Sequence, residues 1–201
     1  MGVDTVVGRG AADEAEVARA RLYGLLAALL ARPPGEDMLT RLRGLSADGT
    51  PLGSALGALA EAAGEASPAS AEREFFHLFI GVGRGELLPY ASYYLTGFLH
   101  ERPLARLRGD LARLGIVRAE SVPEPEDHIA SVCEVMAGLI DGSLGAPAGE
   151  DGRFFEQHVR PWAGRFFADL EAAKAARFYR AVGRLGRGWI EIETAAFALP
   201  V

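Results

Sequence analysis

Glu74 and His77 lie three residues apart in a segment predicted to be helical, and this Glu-x-x-His spacing places both side chains on one helix face. Helical di-iron bundles use such pairs, but they need two copies together with two further glutamates. The remaining histidines, His100, His128 and His158, have no glutamate three residues before them. A metal-binding helical bundle therefore remains an alternative function, although this single pair does not complete a metal site.

The other patterns related to catalysis are also incomplete. Gly81, Gly83 and Gly85 do not form a dinucleotide fingerprint, because the third glycine comes one position early and no strand precedes it. Asp127 and His128 are adjacent, and neighbours on a helix diverge by about 100°, so they are not a pre-aligned proton relay. No phosphate-binding loop or Ser/His/Asp arrangement is recognisable. We therefore predict a protein that is not an enzyme and holds neither a cofactor nor a metal.

A short stretch from Pro89 to Tyr94 concentrates aromatic rings, with Tyr90, Ser92 and Tyr94 as candidate binding residues. Tyrosine offers a broad apolar face and a polar tip, which suits a surface that accepts varied side chains. A packed loop with tyrosines at its rim would have the same composition. The stretch favours a binding surface without excluding that structural alternative.

A second stretch, Glu124-Pro125-Glu126-Asp127-His128, places three carboxylates at a predicted helix start. Carboxylates there interact favourably with the helix dipole, by about 0.3–1 kcal/mol for each exposed charge. They could equally bind guanidinium groups of a partner, since arginine pairs bidentately with carboxylates. These two interpretations are compatible, and Pro125 at the first helical position would stiffen the segment.

The elements that position both stretches are helices. Apolar residues make up 49% of the 201 residues, and they recur at helical rather than alternating spacing. We predict an all-α fold, a single compact bundle of about eight helices. The predicted helices lie near 12–31, 36–45, 51–63, 68–80, 103–114, 124–144, 152–169 and 172–197.

The domain organisation is simple. Residues 1–11 are rich in glycine and are predicted to form a flexible tail, followed by one helical domain at 12–201. The connection 116–125 is the candidate hinge within that domain. The apolar run 22–31 is too short to span a bilayer, so no stable membrane insertion is expected.

Charge and cysteine content narrow the environment and the partners. The net charge of -6 disfavours nucleic-acid binding and would attract a basic partner segment. Cys133 is the single cysteine, which fits a reducing compartment. It stands in the apolar run with Ile129, Val132 and Met136, so we predict a core thiol rather than a nucleophile.

Together the two stretches resemble the TorD/DmsD/NarJ family of redox-enzyme maturation chaperones. The family loop reads much like Pro-Tyr-x-Ser-x-Tyr and its hinge reads Glu-Pro-x-Asp-His, and both are complete here at 89–94 and 124–128. Weaker similarity at 21–23 and 158–162 extends the resemblance over most of the chain, roughly 15–195.

The resemblance implies a TorD-like, cytoplasmic chaperone. Such a protein binds the twin-arginine signal peptide, or another segment, of the catalytic subunit of a molybdenum-cofactor oxidoreductase, assists cofactor insertion and prevents premature export. It also implies a monomer or a domain-swapped dimer. A general helical adaptor protein remains an alternative, beside the metal-binding bundle.

The resemblance also assigns client-binding residues. It places Asp127 and His128 in the peptide-binding hinge, with Glu124 and Pro125 shaping it, and puts Tyr90, Ser92 and Tyr94 along the facing groove. The carboxylates would take the guanidinium groups of the peptide, and the tyrosines with Phe79 would take its apolar run.

Overall fold

A computed structural model describes residues 4–118 and 123–199, and ten α-helices account for most of these residues. The α-helices are α1 Asp4–Ala31, α2 Glu36–Arg43, α3 Pro51–Glu65, α4 Pro68–Phe75, α5 Ala91–Thr96, α6 Arg102–Arg113, α7 Ile129–Ile140, α8 Glu150–Phe154, α9 Ala163–Ala172 and α10 Phe178–Phe197. Two π-helical turns, Phe76–Ile80 and Phe155–Val159, continue α4 and α8. In these two ranges there is no β-strand, so the predicted all-α class is confirmed.

Local sequence signals set several helix starts as predicted. The Thr50 side chain accepts a hydrogen bond from the Gly53 backbone N–H, and Pro51 takes the first position of α3. Ser67, directly before Pro68, and Ser70, in the first turn of α4, cap each other's backbone N–H groups reciprocally. In both cases the cap satisfies backbone donors that the first helical turn leaves free, and proline fits the position because its missing N–H is not needed there.

The core lies between α1, α7, α9 and α10. Helix α1 packs chiefly against α7, and α10 packs against α9 and α3. Close approach of α10 to α9 requires glycine, since a Cβ at Gly183 or Gly186 would overlap Glu171 or the Phe167 ring. Cys133 is fully buried in this core, as predicted, and burial raises the pKa of its thiol to about 12.

An ion pair between a partly buried arginine and a buried glutamate ties the two longest helices together. The Arg19 guanidinium of α1 donates two 2.9 Å hydrogen bonds to the Glu193 carboxylate of α10. Tyr23 donates a third to the same carboxylate, and Asp151 of α8 accepts from the other side of Arg19. Breaking such a pair leaves an uncompensated buried charge, so it fixes how these helices meet.

Several predicted boundaries differ from the structure. Helix α1 begins at Asp4, inside the segment 1–11 that the sequence assigns to a tail. The helix predicted near 152–169 is interrupted by the turn Phe155–Val159. Helix α7 begins at Ile129, so Glu124 and Pro125 precede it instead of opening it. Of the predicted hinge 116–125, residues 119–122 lie outside the described residues.

The apolar run of α1 belongs to the core. Leu26, Leu29 and Leu30 are buried against neighbouring helices. Among the helices described, none combines the length and the apolar character needed to cross a bilayer.

Candidate functional site

The two stretches identified in the sequence are paired with each other through their backbones. The Ala91 N–H donates to the Asp127 carbonyl at 3.0 Å, and the Ile129 N–H donates to the Pro89 carbonyl at 2.8 Å. Tyr90 and His128 face each other as an isolated antiparallel bridge. The residues of the loop and of the hinge therefore form one unit, although they are separated by more than 30 positions in the sequence.

Asp127 caps α5 from outside that helix. Its carboxylate accepts a 2.8 Å hydrogen bond from the Ser92 backbone N–H, the second residue of α5, and the side chain is 1% exposed. A carboxylate at a helix start satisfies a free donor and interacts favourably with the helix dipole. Asp127 is thus committed to an internal contact, and its burial separates it from solvent.

His128 and Tyr90 complete this unit. The His128 Nδ1 atom accepts from the Ala130 N–H and so caps α7, while its ring packs edge-on against Tyr90 at 5.2 Å. Burial lowers the pKa of His128 to about 4, which keeps the imidazole neutral. The Tyr90 hydroxyl donates to Glu124, and burial together with this bond raises the pKa of Tyr90.

Helix α5 separates two clefts. The first, which we name the tyrosine cleft, has a volume of about 360 Å³. Its lining comprises Arg84, Glu86, Leu87, Leu88, Tyr93, Tyr94, Leu95, Gly97, Arg165 and Asp169. The second, which we name the α6 cleft, has a volume of about 440 Å³. Its lining comprises Ala91, Leu95, Pro103, Arg106, Leu107, Gln157 and His158.

Three exposed apolar residues lie at the end of α5 and just after it, and one of them lines both clefts. Leu95, which lines both, is 44% exposed, and the following Phe98 and Leu99 are 70% and 39% exposed. We name these three residues the α5 patch. Isolated exposed apolar side chains are common, but a group of them beside concave surfaces is typical of an interaction site.

The predicted site residues differ in how deeply they are buried. Asp127 and His128 are buried beneath α5, and Ser92 is buried on α5 itself. The Ser92 hydroxyl finds no hydrogen-bond partner within the described ranges. Tyr90, Glu124 and Pro125 are partly exposed at the edge of the paired unit.

Among these predicted residues, Tyr94 is the one that lines a cleft. Its hydroxyl donates to Asp169 at 3.0 Å, and its ring packs near Trp162 and Phe166. Phe79 lies elsewhere, packed edge-on against Phe75 and Tyr179. Glu126 forms salt bridges with Arg108 and Arg118.

Sequence reasoning did not select the residues that form most of the accessible surface here. They are Arg84, Glu86, Tyr93, Leu95, Phe98, Leu99, Arg165 and Asp169. A signal existed for Tyr93, because it belongs to the tyrosine stretch. For Leu95, Phe98 and Leu99 the residue type itself predicts burial, so their exposure follows only from the fold.

Glu74 and His77, the possible metal pair, have separate roles. Glu74 is buried and accepts hydrogen bonds from three consecutive backbone N–H groups at the start of α10, those of Arg177, Phe178 and Tyr179. The His77 side chain is exposed. Throughout the described part of the chain, no three His, Cys, Asp or Glu side chains are grouped so that they could hold a metal ion.

The chain is similar in sequence to a known protein family and to several known proteins. The sequence model of the nitrate reductase delta subunit family matches residues 46–168, a range that contains both paired stretches. A chaperone protein TorD from Shewanella loihica is 29% identical over 205 residues, covering 90% of this chain and 94% of that protein. Another from Vibrio cholerae is 30% identical over 129 residues, covering 59% of this chain and 58% of that protein.

The fold has a counterpart among solved structures. A crystal structure described as that of a redox enzyme maturation protein from Archaeoglobus fulgidus superimposes with a TM-score of 0.60 at 19% identity. The match covers 86% of this chain and 93% of that one. With the family match over more than half of its length, this chain belongs to the nitrate reductase delta subunit family, the TorD/DmsD/NarJ group of redox-enzyme maturation chaperones.

Proposed function

We propose that the protein is a cytoplasmic chaperone for the catalytic subunit of a molybdenum-cofactor oxidoreductase. It binds the twin-arginine signal peptide of that subunit, or another extended segment of it, across the exposed end of α5. While bound, it assists cofactor insertion and prevents premature export. The family relationship supports the chaperone role, and the surface around α5 supports the place of binding.

The observation that carries the proposal is that Leu95 of the α5 patch lines both clefts and is followed by two further exposed apolar residues. Leu95 borders both clefts, and Phe98 projects with 70% of its surface exposed. An apolar segment laid over this patch would remove the phenylalanine from water and reach a concave surface on either side. A signal peptide has such an apolar run directly after its arginines, which makes it a suitable occupant.

The paired stretches then have two kinds of role. Asp127 and His128 position α5 from below, because both are buried in the unit that caps it and Asp127 accepts the backbone N–H of Ser92, a residue of α5. Tyr94 contacts the client inside the tyrosine cleft. Tyr90, Glu124 and Pro125 form the partly exposed edge that an entering segment meets. Asp127 thus contributes to client binding indirectly, by supporting α5. Glu124 would contact the client only at the edge of the binding surface.

Isothermal titration calorimetry with a synthetic peptide tests this proposal. The peptide carries two consecutive arginines followed by an apolar run. We expect Phe98→Ser to weaken binding by about tenfold, because the burial of an exposed aromatic ring contributes on the order of 1–2 kcal/mol. Leu199→Ser is the control, since Leu199 is also 70% exposed but belongs to neither the patch nor the clefts.

Two results would contradict the proposal. The first is an absence of peptide binding to the unaltered protein, when an apolar segment from the mature part of a molybdoenzyme subunit also fails to bind. The second is an equal loss of affinity in Phe98→Ser and Leu199→Ser, which would mean that the α5 patch has no special part.

The assembly state and the cellular location belong to the same proposal. We expect a monomer or a domain-swapped dimer that exchanges elements across 116–125, and light scattering across a concentration series distinguishes the two. Fractionation of cells that produce the tagged protein should recover it in the cytoplasm. Recovery outside the cytoplasm would contradict that part of the proposal.

A further inference from the structure

Each of the two tyrosines that line the tyrosine cleft has an arginine of the same chain against its ring. The Arg84 guanidinium lies 5.4 Å from the centre of the Tyr93 ring and donates a 2.8 Å hydrogen bond to the Tyr93 hydroxyl. The Arg165 guanidinium lies 5.9 Å from the centre of the Tyr94 ring. Aromatic faces attract cations at these distances, so the cleft already contains two guanidinium positions.

Arg84 and Arg165 differ in their partners from the arginines that form salt bridges elsewhere in the protein. Arg19, Arg108, Arg113 and Arg187 all form salt bridges with carboxylates. Within the described ranges, neither Arg84 nor Arg165 has a carboxylate oxygen within salt-bridge distance. Their recorded contacts are with tyrosine.

The same cleft nevertheless contains two carboxylates. Glu86 accepts hydrogen bonds from the Lys174 and Ala175 backbone N–H groups, and Asp169 accepts one from the Tyr94 hydroxyl. An ionised carboxylate has about four lone-pair positions, so both keep acceptor capacity. The cleft thus offers a guanidinium an aromatic face and nearby anionic oxygens, the two contacts that favour arginine over lysine.

The loop before α5 holds Arg84 in place. Gly81 has a φ of 64°, and a Cβ there would overlap the Arg84 carbonyl. A Cβ at Gly85 would overlap the backbone of Phe79, so the loop folds tightly against the end of the π-helical turn. The backbone is fixed by these contacts, whereas the Arg84 side chain is exposed and held by two weak surface interactions.

We propose that the tyrosine cleft is a guanidinium site and that Arg84 is its internal competitor, occupying in the free protein the place that a client arginine takes in the complex. This inference rests on the proposed function and identifies its arginine-recognition surface. With Arg84 in place, two arginines balance two carboxylates. When Arg84 swings into solvent, Glu86 and Asp169 face Arg165 alone, and the vacated Tyr93 ring is available to a second cation.

The competition predicts an unusual result, because removing a residue from the site should strengthen binding. We expect Arg84→Ala to bind a blocked diarginine peptide, acetyl-Arg-Arg-amide, about fivefold more tightly than the unaltered protein, the size of effect that one cation–aromatic contact provides. Binding is followed by NMR titration of tyrosine ring signals, with Tyr93 as the expected reporter.

Matched variants separate competition from a change in net charge. Arg73→Ala removes the same charge from an exposed position on α4 outside the cleft, and we expect it to leave the affinity nearly unchanged. Arg84→Lys keeps the charge but stacks less well, so its affinity should fall between those of the unaltered protein and Arg84→Ala. Tyr93→Leu should weaken binding and remove the gain from Arg84→Ala in the double variant.

The outcomes distinguish this inference from the proposed function. If the signal peptide binds but its affinity is unchanged or weakened by Arg84→Ala, the guanidinium site is overturned and the chaperone function stands; weakening would point to an acidic ligand. If the diarginine peptide behaves as expected while the signal peptide does not bind, the site stands and the signal peptide is not the client segment. If neither peptide binds any variant, the guanidinium site is overturned, and the chaperone function is overturned with it when an apolar segment from the mature part of a molybdoenzyme subunit also fails to bind.

Discussion

Two buried carboxylates cap helices in this protein from distant parts of the chain, and they differ in what they support. Glu74 accepts three backbone N–H groups at the start of α10, the 20-residue helix at the centre of the core. Asp127 accepts one at the start of α5, a six-residue helix beside the clefts. The same chemical device therefore stabilises the core in one case and the candidate site in the other.

The comparison indicates which contacts hold α5, and with it the candidate site, in a defined conformation. An isolated helix of six residues is not stable in water, because too few hydrogen bonds offset the cost of nucleation. Helix α10 has an extensive apolar face against α9 and α3, whereas α5 buries only Ala91 and Ser92 fully. The pairing with Asp127 and Ile129 is thus the main local support for α5, and disturbing it should affect binding before it affects the whole fold.

Loss of the Glu74 carboxylate should have the largest effect on stability. We expect Glu74→Ala to lower the free energy of unfolding by about 4 kcal/mol, because it leaves several buried backbone donors without a charged acceptor. Urea denaturation followed by circular dichroism measures this change. Glu74→Gln retains one acceptor oxygen and should lose about half as much. A loss confined to the α5 region would contradict the comparison.

Acidification tests the second region through His128. Burial holds the pKa of His128 at about 4, below its ordinary value of 6.5. Between pH 6.5 and 4 the unfolded chain binds a proton that the folded protein does not, so stability falls as pH falls, by up to about 3 kcal/mol. His128→Asn keeps a capping acceptor but cannot titrate, so its stability should decline less steeply over this range. Parallel curves for the two proteins would exclude His128 as the cause.

Asp127 should influence α5 more than the remainder of the molecule. We expect Asp127→Ala to lower global stability by about 2 kcal/mol, since the Ser92 N–H loses its charged acceptor. Hydrogen exchange at residues 91–96 should accelerate by more than exchange in α10. Asp127→Asn keeps an oxygen and serves as the control, with about half the loss. Equal acceleration in α5 and α10 would show that Asp127 supports the fold generally.

The smallest expected effect is that of the Tyr90 hydroxyl. Tyr90→Phe removes the hydrogen bond to Glu124 but keeps the ring against His128, so unfolding should become easier by only about 1 kcal/mol. Thermal denaturation measures it. A loss larger than that of Asp127→Ala would mean that the edge of the paired unit, rather than its buried cap, supports α5.

Much of the fold was predictable from local signals. Helical spacing of apolar residues identified the main helices, and the prolines Pro51 and Pro68 located the starts of α3 and α4. The same reasoning failed at Glu124-Pro125, where an acidic residue and a proline suggested a helix start. There the Pro125 carbonyl accepts the His128 N–H in a turn, and pairing with Pro89 delays the helix to Ile129.

The candidate site was predictable only in part. Resemblance to a family located the two stretches that pair with each other at α5. Local sequence does not reveal that the Asp127 carboxylate caps α5 inside the protein, or that Leu95 and Phe98 remain exposed. Such facts depend on contacts between residues far apart in the chain, as with Glu74, which reaches backbone groups more than 100 positions later. Non-local contacts decide which polar groups remain available to a partner.

The π-helical turn Phe76–Ile80 makes segment length as important as residue type. A π turn accommodates one residue more than the same stretch of α-helix. Deleting one residue there would let the turn close as ordinary α-helix with its two ends nearly in place. Deleting two would rotate the following backbone by about 100° relative to α4, and the Gly81–Gly85 loop would no longer aim Arg84 at Tyr93. Substitution of the exposed Phe76 should be tolerated, whereas a two-residue gap between Pro68 and Gly85 should separate functional from non-functional relatives.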